Sequence, residues 1–120
     1  MLKLDSVLVF SEDPKRLASF YEGVLEAKPG WTGDNYFGYD VGGTYFMVGP
    51  HDAVRGKAKD AKRILINFSC QDVKAEFVRI KGLGVTVVAE PYQPGEASDM
   101  WLATFEDPDG NYFQIGSQMK

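Results

Sequence analysis

The sequence is poor in the residues that build covalent and metal-bound frameworks. Its 120 residues include one cysteine, Cys70, and one histidine, His51. One cysteine cannot close a disulfide within the chain, and one histidine cannot form a histidine cluster around a metal ion. The N-terminus, MLKLDSVLVF, lacks a long apolar segment followed by a small-residue cleavage site. These absences predict a cytoplasmic protein.

Long apolar runs and an excess of positive charge are also missing. No segment approaches the roughly 18 to 20 apolar residues of a membrane-spanning helix, so we expect no membrane insertion. Thirteen Lys and Arg residues against 17 Asp and Glu residues give a formal net charge of −4. Because a protein that binds a phosphate backbone needs a basic face, we expect no nucleic-acid partner.

The composition that remains is that of a packed globular protein. Hydrophobic residues make up 44% of the chain and charged residues 25%. A chain of this length is close to the common size of one domain, so we expect a single domain over residues 1–120.

The first half of the chain predicts a strand, a helix and further strands. Residues 4–10 are β-formers, Asp13 can cap a helix, and Pro14 suits its first position. The apolar residues of this helix lie on one stripe, namely Leu17, Phe20, Tyr21, Val24 and Leu25. Aromatic-rich strands are predicted over 31–39 and 44–48, joined by a hairpin at Val41-Gly42-Gly43, with another strand beginning around Ala27.

The second half repeats this order of elements. Residues 63–70 predict a strand, and Asp72 can cap a helix that places Val73, Phe77 and Ile80 on one side. Gly82 and Gly84 end that helix. Further strands are predicted over 85–89, 100–105 and 112–115, and the turn-forming residues 107–111 join the last two.

The order strand, helix, strand, strand, strand therefore occurs twice. We expect an α+β fold with module 1 at about 1–50, a polar linker at about 51–62 and module 2 at about 63–118. Two β-α-β-β-β modules that pair edge to edge would form one curved mixed sheet with the helices on its convex face. The concave face would then be a cup for a ligand.

Three segments carry a resemblance to a known family. SFYEGVLE at residues 19–26 is similar to the "FY..vLG" helix of the glyoxalase/bleomycin-resistance, or vicinal oxygen chelate, superfamily. FEDPDGNYFQI at residues 105–115 resembles the "f.DPdGn.iel" ending of that superfamily. Residues 68–73 and 84–87 fit its second strand, helix and "GV.v" strand, so the resemblance spans nearly the whole chain.

In metal-dependent members, the resemblance implies a His or Gln on the first strand of each module and a Glu on the last. Here Ser6 and Leu65 occupy the first-strand positions, Gln114 replaces one Glu, and residues 45–48 contain no carboxylate. A divalent ion needs several N or O ligands that offset its dehydration. We therefore expect no metal and no cofactor.

Other reactive side chains have simpler structural interpretations. We expect His51 to be an exposed loop residue and Cys70 to be a small core residue beside which no base is evident. Glu106, Asp107 and Asp109 are explained by their turn-forming tendency rather than by a pair of carboxyl groups in general acid–base catalysis.

Strand alternation indicates which side chains would face the cup. If Ile66 and Phe68 cover the helix, then Asn67 and Ser69 face the other way. Trp31 and Tyr36 are further aromatic residues on the strands of the first module that could line the mouth of the cup. The predicted ligand-binding residues are Ser6, Phe10, Phe37, Tyr45, Asn67, Ser69, Trp101, Tyr112 and Gln114.

Three functions remain open at this point. The first is a metal-free protein that binds a small, partly hydrophobic or aromatic molecule in its cup. The second is a metal-dependent lyase, isomerase or dioxygenase, which the missing ligands disfavour. The third is a dimerisation module without a ligand. Whether the protein is an enzyme stays undecided, and the resemblance also implies a homodimer.

Overall fold

The structure is a computed structural model that describes residues 1–95 and 99–118. It divides into two compact units, module 1 (Met1–Gly56) and module 2 (Lys57–Lys120). Module 1 contains β1 (Ser6–Ser11), α1 (Pro14–Leu25), β2 (Trp31–Gly33), β3 (Tyr36–Val41) and β4 (Thr44–Pro50). Module 2 contains β5 (Ile66–Cys70), α2 (Val73–Gly82), β6 (Thr86–Tyr92), β7 (Leu102–Glu106) and β8 (Tyr112–Ser117). The α+β class and the repeated element order are confirmed.

Each module has a mixed sheet of four strands. The strand order is β1-β4-β3-β2 in module 1 and β5-β8-β7-β6 in module 2. The first and last strands of each module are parallel, and the other neighbours are antiparallel. The crossover that each parallel pair requires runs through the helix and the two intervening strands.

Both helices begin at the predicted caps. The Asp13 carboxylate accepts a hydrogen bond from the Arg16 amide at 3.2 Å, and the Asp72 carboxylate accepts one from the Ala75 amide at 3.0 Å. These bonds satisfy amides of the first turn that have no partner within the helix. Neither helix in the described residues is long and apolar enough to cross a bilayer.

The core of each module lies between its helix and one face of its sheet. In module 1, the Tyr21 ring of α1 meets the Phe46 ring of β4 edge to face, with centroids 4.7 Å apart. In module 2, Phe77 of α2 stacks on Phe105 at 5.5 Å, and Phe105 stacks on Phe113 at 5.4 Å. Burial of these rings supplies much of the hydrophobic stabilisation that holds each helix to its sheet.

Two strand predictions in module 1 are wrong. Residues 31–39 do not form one strand, because Asp34 and Asn35 make a two-residue turn between β2 and β3, and no strand begins at Ala27. The φ angles of these turn residues are 50° and 68°, in the left-handed region that Asp and Asn tolerate better than most residues. The hairpin at Gly42-Gly43 is confirmed, with φ angles of 74° and 98°.

Three strands of module 2, β5, β6 and β7, start later than predicted, whereas β8 begins at Tyr112 as predicted. β5 begins at Ile66 rather than at residue 63, because the Arg63 amide closes a turn onto the Asp60 carbonyl at 3.3 Å. β7 begins at Leu102 rather than at residue 100. β6 carries register shifts against β7, which divide it into short paired stretches.

Candidate ligand-binding site

In each module, the helix covers one face of the sheet, and we call the opposite face the open face. Phe46 and Val48 of β4 are buried on the covered face of module 1, so Tyr45 and Met47 project from the open face. Phe113 and Ile115 are buried likewise in module 2, so Tyr112 and Gln114 project from its open face. The two faces separate the packing residues from those that can meet a ligand.

The open face of module 1 is mainly aromatic and apolar. Leu8 and Trp31 on it are 48% and 49% exposed. A face of this composition favours contact with an apolar or flat molecule. The strand register gives its members as Ser6, Leu8, Phe10, Trp31, Tyr36, Asp40, Tyr45 and Met47.

Three rings on this face lie against glycines, and we call Trp31, Tyr36 and Tyr45 the aromatic shelf. A Cβ atom on Gly49 would clash with the Tyr36 ring, and one on Gly38 would come within 3.4 Å of the Tyr45 ring. A Cβ atom on Gly33 would lie 3.1 Å from Trp31. Because these glycines have no side chain, the rings can lie close to the backbone and present a broad surface.

His51 follows β4 at one end of the open face. Its ring meets the Phe10 ring edge to face, with centroids 5.2 Å apart, and its side chain is 46% exposed. The Nδ1 atom of His51 accepts a hydrogen bond from the Ala53 amide at 3.0 Å. In the neutral ring the hydrogen is therefore on Nε2, so His51 can offer a donor but lacks a free basic nitrogen.

The open face of module 2 is more polar than that of module 1. Gly116 leaves space that the Asn67 amide and the Leu102 side chain approach, since a Cβ atom there would lie 3.2 Å from Asn67 Oδ1 and 2.9 Å from Leu102 Cδ2. Amides and hydroxyls both donate and accept hydrogen bonds, so this face can orient a polar group. Its members are Asn67, Ser69, Leu102, Thr104, Glu106, Tyr112 and Gln114.

Two residues expected at the ligand lie on the helix-covered faces instead. Phe37 pairs with Val48, which is fully buried, and therefore shares its face. Trp101 stands two residues before the buried Ala103, and the Nζ atom of Lys74 on α2 lies 4.0 Å from the centroid of its ring. The other seven expected residues, Ser6, Phe10, Tyr45, Asn67, Ser69, Tyr112 and Gln114, lie on the open faces of their modules.

Cys70 does not have the surroundings of a catalytic nucleophile. Burial raises the pKa of its thiol, and the carboxylates of Glu76 and Asp72 raise it further. A backbone hydrogen bond at Asp72 lowers the pKa, but to a smaller extent. At neutral pH the side chain is therefore a thiol and not a reactive thiolate.

The acidic residues of the β7–β8 turn hold the backbone together. The Asp107 side chain is buried, and its Oδ1 atom accepts hydrogen bonds from the amides of Asp109 and Asn111 at 2.9 and 3.0 Å. The Asn111 side-chain amide donates to Oδ2 at 3.0 Å. Asp107 thus stabilises the turn, in agreement with the turn chemistry expected from the sequence.

Comparison with known proteins places this arrangement in a family. The Glyoxalase/Bleomycin resistance protein/Dioxygenase superfamily has a sequence pattern that matches residues 3–115 of this chain. The chain belongs to this superfamily. No curated protein matches the sequence significantly.

Solved structures of this superfamily have the same fold. A glyoxalase/bleomycin resistance protein/dioxygenase family enzyme from Burkholderia phytofirmans PsJN is 19% identical at a TM-score of 0.76, covering 98% of this chain and 100% of its own. The fosfomycin resistance protein FosX from Mesorhizobium loti is 18% identical at a TM-score of 0.73, and the match covers 99% of this chain and 95% of that protein. A lactoylglutathione lyase from Agrobacterium tumefaciens is 15% identical at a TM-score of 0.73, and the match covers 96% of this chain and 92% of that protein. At these identities the likeness establishes the fold alone.

The residues at the expected metal positions of the superfamily do not fit a divalent ion. Ser6 of β1 offers a hydroxyl, Gln114 of β8 offers a neutral amide, and Leu65 offers no donor. Across residues 1–95 and 99–118, no three His, Cys, Asp or Glu side chains come close enough together to hold a metal. Neutral hydroxyl and amide oxygens alone do not offset the dehydration of such an ion. The absence of a metal remains a prediction.

Proposed function

We propose that this superfamily member is a metal-free binding protein for a small, partly hydrophobic or aromatic molecule. The observation that carries the proposal is the aromatic shelf, which presents large rings on a sheet face that no helix of module 1 covers in the described residues. Half of the Trp31 surface is exposed. Covering such rings with a ligand removes apolar area from water at about 25 cal/mol per Å².

The open face of module 2, taken by itself, carries hydrogen-bonding groups. Asn67 and Gln114 stand side by side on the parallel strands β5 and β8, and Thr104 stands opposite Gln114 on β7. The amides of Asn67 and Gln114 can each pair with a donor or an acceptor, whereas Thr104 is buried. Such groups can fix the orientation of a polar part of a ligand on the open face of module 2.

We propose in addition that the protein is a cytoplasmic homodimer. The support is the family resemblance together with the single cysteine, which suits a reducing compartment. Light scattering coupled to size-exclusion chromatography at several protein concentrations tests the dimer. A monomer at every concentration would contradict it.

A second function, that of a metal-dependent lyase, isomerase or dioxygenase, has support in the names of the similar proteins. One similar structure is a lactoylglutathione lyase, and another is described as a dioxygenase family enzyme. Those chemistries use the ion to stabilise charge on substrate oxygens. The side chains of Ser6, Leu65 and Gln114 disfavour this function, because they provide only a hydroxyl, an alkyl group and a neutral amide. A dimerisation module without a ligand is the third possibility.

Calorimetric titration with acridine, a neutral flat aromatic molecule at neutral pH, tests the proposal. We expect saturable binding that weakens about fivefold or more in Trp31→Ser and Tyr36→Ser, because each loses roughly the contact area of a ring. Val78→Ser on α2 is the matched control, since Val78 is 69% exposed but lies off the sheet. Equal weakening in all three variants, or no binding to the native protein, would overturn the proposal.

Elemental analysis and thermal unfolding with EDTA, Ni(II), Zn(II), Mn(II) and Fe(II) separate the second function from the first. We expect no bound metal and no shift in the unfolding temperature, because Ser6 and Gln114 offer only neutral oxygens. Near-stoichiometric metal in the purified protein would favour the enzyme instead.

A further inference from the structure

Positive charge is missing from every strand within residues 1–95 and 99–118. The chain has 13 Lys and Arg residues, yet none of them lies in β1 to β8. The charged residues of these strands are all acidic, and they are Asp40, Glu90 and Glu106. The sheets therefore carry only negative charge, although the chain as a whole carries both signs.

Two of these acids stand at equivalent places in the two modules. Asp40 of β3 follows the buried Tyr39 and pairs across the sheet with Tyr45 of β4. Glu106 of β7 follows the buried Phe105 and pairs with Tyr112 of β8. Because neighbouring residues of a strand point to opposite faces, both acids and both tyrosines belong to the open faces.

The internal repeat thus places an acid beside a tyrosine on each open face. Tyr45 lies four residues before Gly49, and Tyr112 lies four residues before Gly116, so the two pairs occupy the same position in the repeat. Gly49 is covered by the ring of Tyr36, and Gly116 is approached by Leu102. The acid–tyrosine pair is present in both modules, even though Tyr36 covers Gly49 in one module and Leu102 approaches Gly116 in the other.

We propose that the open face of module 1 binds an organic cation with a flat aromatic part, an inference that rests on the proposed function. A cation is attracted to the faces of Trp and Tyr rings, and the aromatic shelf offers one Trp and two Tyr. Asp40 adds a carboxylate beside Tyr45 on the same face.

The lack of Lys and Arg in the strands disfavours an anionic ligand. Proteins hold carboxylates and phosphates with Arg or Lys side chains or with helix N-termini. The strands of the open faces provide no Arg or Lys, and their acids would repel a negative group. Charge complementarity therefore selects the sign of the ligand, while the rings of the aromatic shelf select its flat shape.

The environment of Asp40 allows its charge to be removed with little other change. Its Oδ1 atom accepts a hydrogen bond from the Gly43 amide at 2.9 Å, at the end of the β3–β4 hairpin. Asp40→Asn retains an acceptor oxygen for this bond and removes only the charge. Glu106→Gln makes the matching change in module 2, and Glu26→Gln at the exposed end of α1 changes the net charge equally away from the strands.

Calorimetry with three molecules of similar size and different charge tests the inference. The molecules are the cation N-methylacridinium, neutral acridine and the anion acridine carboxylate. At neutral pH and low salt we expect the cation to bind about three- to tenfold more tightly than acridine, and the anion to bind most weakly. High salt should reduce the advantage of the cation.

The variants identify the source of that preference. Asp40→Asn should weaken the binding of N-methylacridinium about threefold and leave the binding of acridine unchanged. The double variant Asp40→Asn/Glu106→Gln should weaken the binding of N-methylacridinium at least as much. Glu26→Gln should change the binding of neither molecule. If the three molecules bind equally, if the anion binds best, or if the charge variants have no effect, the inference fails while the proposed function stands. If none of the three binds, the proposed function fails with it.

Discussion

The hydroxyl of Tyr39 on β3 donates a hydrogen bond of 2.8 Å to Oε2 of Glu22 on α1. Glu22 also lies 3.7 Å from the ammonium group of Lys28, which follows the helix. The Tyr39 side chain is fully buried. This polar contact inside the apolar interface of module 1 fixes how the helix is seated on the sheet, because a shifted helix would leave a buried hydroxyl without its acceptor.

Removal of this hydroxyl should destabilise the protein. We expect Tyr39→Phe to lower the free energy of unfolding by about 1 to 2 kcal/mol at neutral pH, because it deletes a hydrogen bond to a charged group. Urea denaturation followed by circular dichroism measures the change. Tyr92→Phe is the control, since Tyr92 is 42% exposed. Equal stability of the two variants would contradict the role of the Tyr39–Glu22 bond.

The same contact predicts a loss of stability at alkaline pH. Burial raises the pKa of Tyr39 above its ordinary value, and the hydrogen bond to Glu22 and its negative charge raise it further. The stabilising contribution of Tyr39 is therefore complete below the pKa of an unfolded tyrosine, about 10, and is lost as the pH rises above it. Denaturation at several alkaline pH values should show a steeper loss for the native protein than for Tyr39→Phe. Parallel pH profiles would contradict this expectation.

Gly49 should be far less tolerant of substitution than Gly82. A Cβ atom on Gly49 would clash with the Tyr36 ring, whereas one on Gly82 meets nothing within 4 Å. We expect Gly49→Ala to cost about 1 to 3 kcal/mol in unfolding free energy and Gly82→Ala to cost nothing. Gly116→Ala should cost less than Gly49→Ala, because the atom it meets first is the end of the flexible Leu102 side chain.

A double substitution checks that the clash is the cause. Tyr36→Ala removes the ring, so Gly49→Ala should cost much less in a Tyr36→Ala background than in the native protein. Unfolding free energies of the four proteins of this cycle measure the coupling. Additive losses would show that the backbone of β4, and not the ring, requires glycine.

Asp107 should be the most sensitive acid of the turn between β7 and β8. Its carboxylate accepts two amide hydrogen bonds and one from Asn111 Nδ2, so we expect Asp107→Ala to cost at least about 1 to 3 kcal/mol. Asp107→Asn keeps one acceptor oxygen and should lose less. Asp52→Ala, at an exposed position, is the control and should stay within about 0.5 kcal/mol of the native protein in urea denaturation.

Cys70 should react slowly with iodoacetamide at neutral pH. Its raised pKa keeps the thiolate fraction low at neutral pH. As long as the pH stays below the pKa, the thiolate fraction grows about tenfold for each unit by which the pH rises. Glu76→Gln should speed the reaction, because it removes one of the negative charges that raise the pKa. Alkylation in urea gives the rate of the unfolded chain, and a native rate equal to it would show that the thiol is neither buried nor perturbed.

Much of the fold could be predicted because its signals are local. Asp13 and Asp72 each precede an amphipathic segment, and a capping carboxylate acts on amides within the next turn. The turn at Asp34 and Asn35 was missed because it depends on left-handed φ angles of two ordinary-looking residues inside an aromatic run. The pairing of β5 with β8 joins distant parts of the sequence, and no local pattern shows it.

The open faces could be predicted only where the phase of a strand was certain. Asn67 and Ser69 alternate with the apolar residues of β5, so their direction was readable. Phe37 was misplaced because the missed turn hid where β3 begins, and an aromatic residue suits either face. Asp40 gave no signal of its own, since its place beside Tyr45 depends on the register of the hairpin.

The division of each sheet into a helix-covered face and an open face has a consequence for engineering. The residues that hold α1 to its sheet, such as Tyr39, Phe46 and Val48, are all different from those of the aromatic shelf. A library that randomises Trp31, Tyr36 and Tyr45 would leave every core contact in place, so most of its members should still fold. Recognition in this scaffold can therefore be selected independently of stability, one module at a time.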